Sequence, residues 1–214
     1  MIIYHGSKYI IERPEYGKGN IHNDYGQAFY CTEDYDLAAE WAVSESGDGY
    51  INKYSVDLEN YKILDLRDKK FSVLNWISIL LSNRVFEVNN MIAKNGKEFI
   101  ISNYSVPYGD YDVIIGWRAD DSYFSYAKAF LNNTISLEAL ESAMRFGNLG
   151  IQYAFRSEEV INELKNESFS IAERKMYLKN KLDRDSSARE SYIEMLSNRN
   201  MKNETFLIDI MRNS

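Results

Sequence analysis

What this chain of 214 residues has little of narrows it first. Its one cysteine, Cys31, can form no intramolecular disulfide, so nothing requires an oxidising compartment and a cytoplasmic location is the expectation. With two prolines and no low-complexity tract, no Pro-rich linker separates independent parts. No apolar run approaches the roughly 18 residues that span a bilayer, the amphipathic stretch from Val73 to Leu81 coming nearest, so no membrane partner is expected. The opening Met1-Ile2-Ile3-Tyr4 reads as a strand, not as a basic segment followed by a long apolar one. A cleaved leader is therefore not expected, and delivery as an effector by another route stays open. Lysine and arginine number 25 against 32 acidic residues, a net charge of −7. No basic stripe is visible, which argues against holding nucleic acid by broad phosphate neutralisation and leaves only a local contact open.

What is present is a hydrophobic content of 45% beside 27% charged residues, the balance of a folded chain with one sizeable core. Short aromatic or β-branched runs bounded by Gly, Asn or Asp predict strands at Ile2 to His5, Ala28 to Thr32, Tyr50 to Asp57, Lys62 to Leu66, Asp112 to Ile115 and Gln152 to Phe155. Helical spacing appears at Leu37 to Val43, Phe71 to Leu81, Glu87 to Ile101, Ser122 to Leu131 and Leu137 to Phe146, the last capped by Ser136 and ended by Gly147. From Ser157 to Arg212 the chain reads as charged helices, with loop signals around Asn166 to Ser168, Asp183 to Ser187 and Asn198 to Asn203. The expected organisation is a domain over residues 1–165 and a helical extension over 166–214. The stretch from Ile10 to Tyr25, rich in Gly and Asn between two motif-bearing strands, is a candidate ligand-covering loop.

Three motifs carry chemistry. In Tyr4-His5-Gly6-Ser7 a histidine ends a strand, and the bare glycine after it lets a ligand approach the backbone. In Asp24-Tyr25-Gly26-Gln27-Ala28-Phe29-Tyr30-Cys31-Thr32 a turn runs into a strand and then a helix holding Trp41. Tyr30 and Trp41 could wall a slot for a flat ring or be a core aromatic pair. Gln152-Tyr153-Ala154-Phe155 is an alternating strand that by itself demands no chemistry.

In order and context these pieces resemble the His-Tyr-Glu branch of the ADP-ribosyltransferase superfamily, which includes poly(ADP-ribose) polymerases and diphtheria toxin. His5-Gly6-Ser7 matches its first element. Tyr25-Gly26-Gln27-Ala28-Phe29-Tyr30 matches its Tyr-Gly-x-Gly-x-Tyr turn with alanine for the second glycine, and Trp41 falls where a second stacking aromatic is expected. Gln152-Tyr153 matches the late strand with glutamine in place of glutamate. Ile115-Gly116-Trp117-Arg118-Ala119-Asp120-Asp121 and Gln152-Tyr153-Ala154-Phe155 are similar to segments of an uncharacterised bacterial branch. The resemblance covers roughly residues 1 to 165.

That resemblance implies an α+β fold with a split antiparallel sheet, surrounding helices and the C-terminal helical extension. It implies NAD as substrate. His5 would bond the adenosine ribose, Ser7 would support the nicotinamide ribose, the Gly6 backbone would pair with the carboxamide, and Tyr30 and Trp41 would sandwich the nicotinamide ring. Tyr25 and Thr32 belong to the same cofactor-binding set, and His5, Tyr30 and Gln152 form the catalytic set. A neutral Gln152 keeps a hydrogen bond and forfeits charge, at a cost of about 3 to 4 kcal/mol, roughly a hundred- to a thousandfold in rate. Mono-ADP-ribosylation of a protein acceptor by a bacterial toxin or effector, which could have a neutralising partner protein, is the leading expectation. An NAD-binding module without transferase activity, an interaction protein and a nucleic-acid acceptor are the alternatives. Asp120 and Asp121 are auxiliary candidates, although Asp121 or Ser122 reads more readily as the cap of the helix that follows. Glu158 and Glu159 read as first-turn helix acids after the Ser157 cap. No metal site is expected.

Overall fold

A computed structural model describes residues 1–85, 87–88, 90–119, 121–144, 150–198 and 204–214, with the side chains of 121–123 outside the description. It is a mixed α+β fold with two β-sheets flanked by helices and a short helix near the C-terminus. The chain divides into two compact units: residues 1–68, 107–118 and 150–183, and residues 69–106, 119–149 and 184–214.

The first unit carries both sheets. One has the order β1 (Ile2–Ser7), β3 (Gly49–Ser55), β7 (Lys165–Ala172); the other runs β2 (Phe29–Cys31), β6 (Ile151–Phe155), β5 (Val113–Trp117), β4 (Ile63–Asp65). All pairings are antiparallel except β4 with β5, which is parallel, so the second sheet is mixed and not purely antiparallel. All six strands expected from the sequence are present. The seventh, β7, lies where helix broken by a loop around Asn166 to Ser168 was expected, and the stretch from Ser157 holds only a short helix α6 (Glu158–Asn162) before it. Charged and small polar residues give β7 little strand propensity, and it is a strand because the edge of β3 pairs with its backbone from Gly49 to Ser55.

Alternation along the strands fills two cores. Ile3, Cys31, Tyr54, Val113, Ile115, Tyr153 and Phe155 meet Val160 and Ile161 of α6 on one side. Helix α1 (Tyr35–Ala42), capped by the Asp34 side chain accepting from the Leu37 amide, lays Ala38, Ala39 and Ala42 against Ile51 and Ala172 on the other. Burial pushes the Cys31 thiol pKa well up, so this cysteine is an inert core residue.

The second unit is helical. It contains α2 (Val73–Asn83), α3 (Met91–Tyr104), α4 (Asp121–Leu131), α5 (Leu137–Ala143), α8 (Leu207–Arg212) and the later part of α7 (Arg174–Asn198). Gly96 lets α3 approach Leu207 and Leu131, and the Tyr126 and Tyr192 rings lie 4.2 Å apart. The loop expected from Asp183 to Ser187 is instead continuous helix inside α7. The signals at Phe146, Gly147 and Arg199 to Asn203 lie outside the described residues. Among the described residues no helix is long and apolar enough to cross a membrane.

Candidate functional site

Among the described residues one isolated backbone bridge links the two sheets of the first unit. Tyr4 and Thr32 exchange backbone hydrogen bonds of 2.7 and 2.9 Å, joining β1 to the residue after β2. In an antiparallel ladder the N–H and C=O of a residue point to the same side, and alternate residues point to opposite sides. Tyr4 points at Thr32, so Ile3 and His5 point at β3, and Gly6 points where Tyr4 does, past the end of the bridge. Among the described residues nothing takes up the Gly6 N–H or C=O.

Glycine is required there for a further reason. A Cβ at Gly6 would lie 1.8 Å from the Ala38 carbonyl oxygen and 2.9 Å from the Ala42 nitrogen, both backbone atoms of α1. The close approach of α1 to β1 leaves no room for any side chain.

His5 sits beside this edge with its ring stacked on Phe29 at 4.2 Å. Its Nδ1 donates to the Tyr30 carbonyl at 2.6 Å. A carbonyl oxygen only accepts, so Nδ1 carries the hydrogen and the neutral ring keeps Nε2 as an acceptor. Burial lowers its pKa from the ordinary 6.5, outweighing the opposing effect of the Tyr30 hydrogen bond. Below pH 6.5 the unfolded chain therefore takes up this proton before the folded one, and stability falls as pH drops through that window. Melting temperature measured from pH 7.5 to 5 should fall less steeply in His5→Gln than in the wild type; parallel curves would show that His5 titrates alike in both states.

Tyr30 folds its phenol over the turn, its hydroxyl donating to the Gly26 carbonyl at 2.7 Å and accepting from the Tyr25 amide at 3.0 Å. It pairs with Ala154, and Gln152 lies two residues along β6 from that position, so Tyr30 and Gln152 share a face of the sheet. Gln152 is 4% exposed. Its Nε2 donates to Asp24 Oδ2 at 2.9 Å and to the Trp117 carbonyl at 3.2 Å.

The other motif residues divide between the site and the core. Tyr25 is fully buried and donates its hydroxyl to the Trp117 carbonyl at 2.7 Å, so it anchors the turn and presents no surface to a ligand. Thr32 is equally enclosed, its Oγ1 accepting from the Asp34 amide at 3.2 Å. Ser7 donates to the Tyr9 carbonyl and accepts from Asn52. Trp41, on α1, has the Arg118 guanidinium 4.9 Å above its ring, and its buried Nε1 has no partner among the described residues. Asp120 lies outside the described residues, and Asp121 opens α4 in the other unit, with its side chain also outside. Glu158 and Glu159 occupy the first turn of α6 behind its Ser157 cap, as their position suggested. A hollow of about 470 Å³ opens among Arg13 to Tyr16 of the long loop and Glu158 and Asn162 of α6; no motif residue lines it.

Residues 1–166 match the model of a family described as a protein of unknown function (DUF3990). The chain belongs to this family. No curated protein and no solved structure matches the chain significantly. The stretch shared with DUF3990 spans His5, Gly6, Tyr30, Trp41 and Gln152 together.

Three residues of that stretch complete the arrangement without having stood out as site residues in the sequence. Asn52, fully buried, donates to the His5 carbonyl, Ser7 Oγ and the Tyr9 carbonyl and accepts from the Ile11 amide, fixing the chain just after Gly6. It carried no distinct signal, since Lys53 and Ser55 of the same strand are polar too. Asp24 gave the signal of an ordinary turn residue and is 5% exposed. Arg118 lay in a quoted segment but could not be linked to Trp41 by spacing.

Proposed function

We propose that this chain is an ADP-ribosyltransferase with a split-sheet core of that type, taking ADP-ribose from NAD and releasing nicotinamide. The observation that carries the reading is the edge of Gly6. Its N–H and C=O lie side by side where β1 and β2 part, with no partner among the described residues, the donor and acceptor pair a carboxamide needs, with His5 Nε2 as an acceptor for a ribose hydroxyl next to it. In the reaction the bond between ribose C1′ and the nicotinamide nitrogen breaks, its electron pair leaving with nicotinamide. A lone pair of the acceptor forms the new bond to C1′, and the acceptor's proton passes to solvent. The residues supply orientation and acceptors for the ribose as it gains positive charge. A protein acceptor fits the acidic surface better than a nucleic acid, which a net charge of −7 repels.

A second reading, an NAD-binding module without turnover, is favoured by the carboxamide at Gln152. Purified protein incubated with NAD decides between them. The transferase reading expects nicotinamide release and a labelled acceptor, with both falling about a hundredfold or more in His5→Ala and Tyr30→Ala. An NAD-dependent rise in melting temperature without nicotinamide supports the module. Neither signal would sink both.

A further inference from the structure

The contact between Asp24 and Gln152 joins residues 128 positions apart in sequence, and both side chains are almost wholly buried. A carboxylate taken out of water is costly unless it is well paired, and the Gln152 amide is one of the partners of Asp24. Gln152 has two amide hydrogens, and both are spent, one on Asp24 Oδ2 and one on the Trp117 carbonyl. Turning the amide over would set its oxygen against the Trp117 carbonyl, which can only accept, whatever the protonation state of Asp24. The orientation is therefore dictated. The oxygen that remains, Oε1, has no partner among the described residues although the residue is 4% exposed.

Asp24 is itself held. It is the second residue of the turn in which Gly26 N–H donates to the Asn23 carbonyl, and its neighbour Tyr25 bonds the same Trp117 carbonyl that accepts from Gln152. We propose that Asp24 is a positioning residue: it locks the Gln152 carboxamide with Oε1 as the acceptor offered to the ribose, and lends it the negative charge that a glutamate would carry. Negative charge at the N–H end of an amide draws its electrons toward oxygen, and in a low-dielectric site such polarisation is strengthened. Asp24 acts through Gln152 without touching NAD. This role rests on the reading of the site as an NAD site.

The test compares the wild type with Asp24→Asn, Gln152→Glu and the double variant Asp24→Asn/Gln152→Glu, each measured for kcat, KM for NAD and melting temperature. Asp24→Asn should lower kcat about tenfold to a hundredfold, with KM changed by less than about threefold. Gln152→Glu sets two carboxylates against each other, so its activity should fall as rising pH ionises both. The double variant exchanges the two groups and keeps one carboxylate–carboxamide bond while forfeiting the bond to the Trp117 carbonyl, so its kcat should exceed that of either single variant and lose that pH dependence; it also keeps the test readable should Asp24→Asn not fold. A wild-type kcat in folded Asp24→Asn, or a double variant no better than the singles, overturns the role of Asp24 and leaves the NAD reading standing. A wild type that binds NAD without cleaving it leaves Asp24 no turnover to assist, which overturns its role and leaves the NAD reading standing. A wild type that neither releases nicotinamide nor melts higher with NAD overturns the NAD reading and this role together.

Discussion

Gly6→Ala should cost about 3 kcal/mol of stability or more, lowering the urea midpoint by on the order of 1 to 2 M. The added methyl would stand 1.8 Å from the Ala38 oxygen and 2.9 Å from its carbonyl carbon. No rotamer change relieves that contact, because the struck atoms are backbone. Either α1 lifts from β1, or β1 shifts against β3 and carries His5 away from Asn52 and Tyr30. Both movements spoil the edge where Gly6 offers its N–H and C=O, so NAD-dependent signals should vanish in whatever fraction still folds. Ser7→Ala is the stability control, since Ser7 bonds the Tyr9 carbonyl and Asn52 of β3, and its side chain alternates with Gly6 away from α1. Should Gly6→Ala unfold at the wild-type midpoint, the packing of α1 on β1 is not as described.

The two readings of Gly6 show what spacing can and cannot carry. A glycine after a strand histidine is visible in the sequence as a place where the bare backbone gives room for a ligand, but Ala38, whose oxygen forbids a side chain there, is thirty-two positions on. The same limit explains Tyr25. Its place in an aromatic turn put it with the ligand contacts, whereas Gly116, bare on β5, opens the hole its ring fills. Strands built on β-branched and aromatic residues were legible because their propensity is local. Strand β7 was not, because Lys165 to Ser168 carries no such preference and Phe169 and Ile171 are exposed. In α7, Asp183 to Ser187 looks like a loop because short polar side chains compete for backbone bonds, yet the helix continues through it. The Asp24–Gln152 bond is the extreme case, since neither residue carries any mark of the other.

Gly116→Ala should reach the site by a different path. Its Cβ would lie 2.2 Å from the Tyr25 hydroxyl oxygen, 3.0 Å from Cζ and 3.3 Å from Leu66 Cδ1. Tyr25 is fully buried and bonded to Trp117, so its ring can yield only by giving up that bond. Overpacking with loss of the bond comes to about 2 to 3 kcal/mol. Gly116 is the register partner of Gln152, and Tyr25 follows Asp24, so a displaced ring moves both ends of the Asp24–Gln152 contact. Nicotinamide release should therefore fall further than the loss of folded protein explains. A double-mutant cycle with Tyr25→Phe separates the causes. Tyr25→Phe alone should cost about 1 kcal/mol for the lost hydrogen bond. Combined with Gly116→Ala, it removes the oxygen that the methyl would strike, so the pair should cost clearly less than the sum of the singles. Strict additivity would mean that the phenol does not fill the space above Gly116, and the turn bearing Asp24 would lose its anchor on β5.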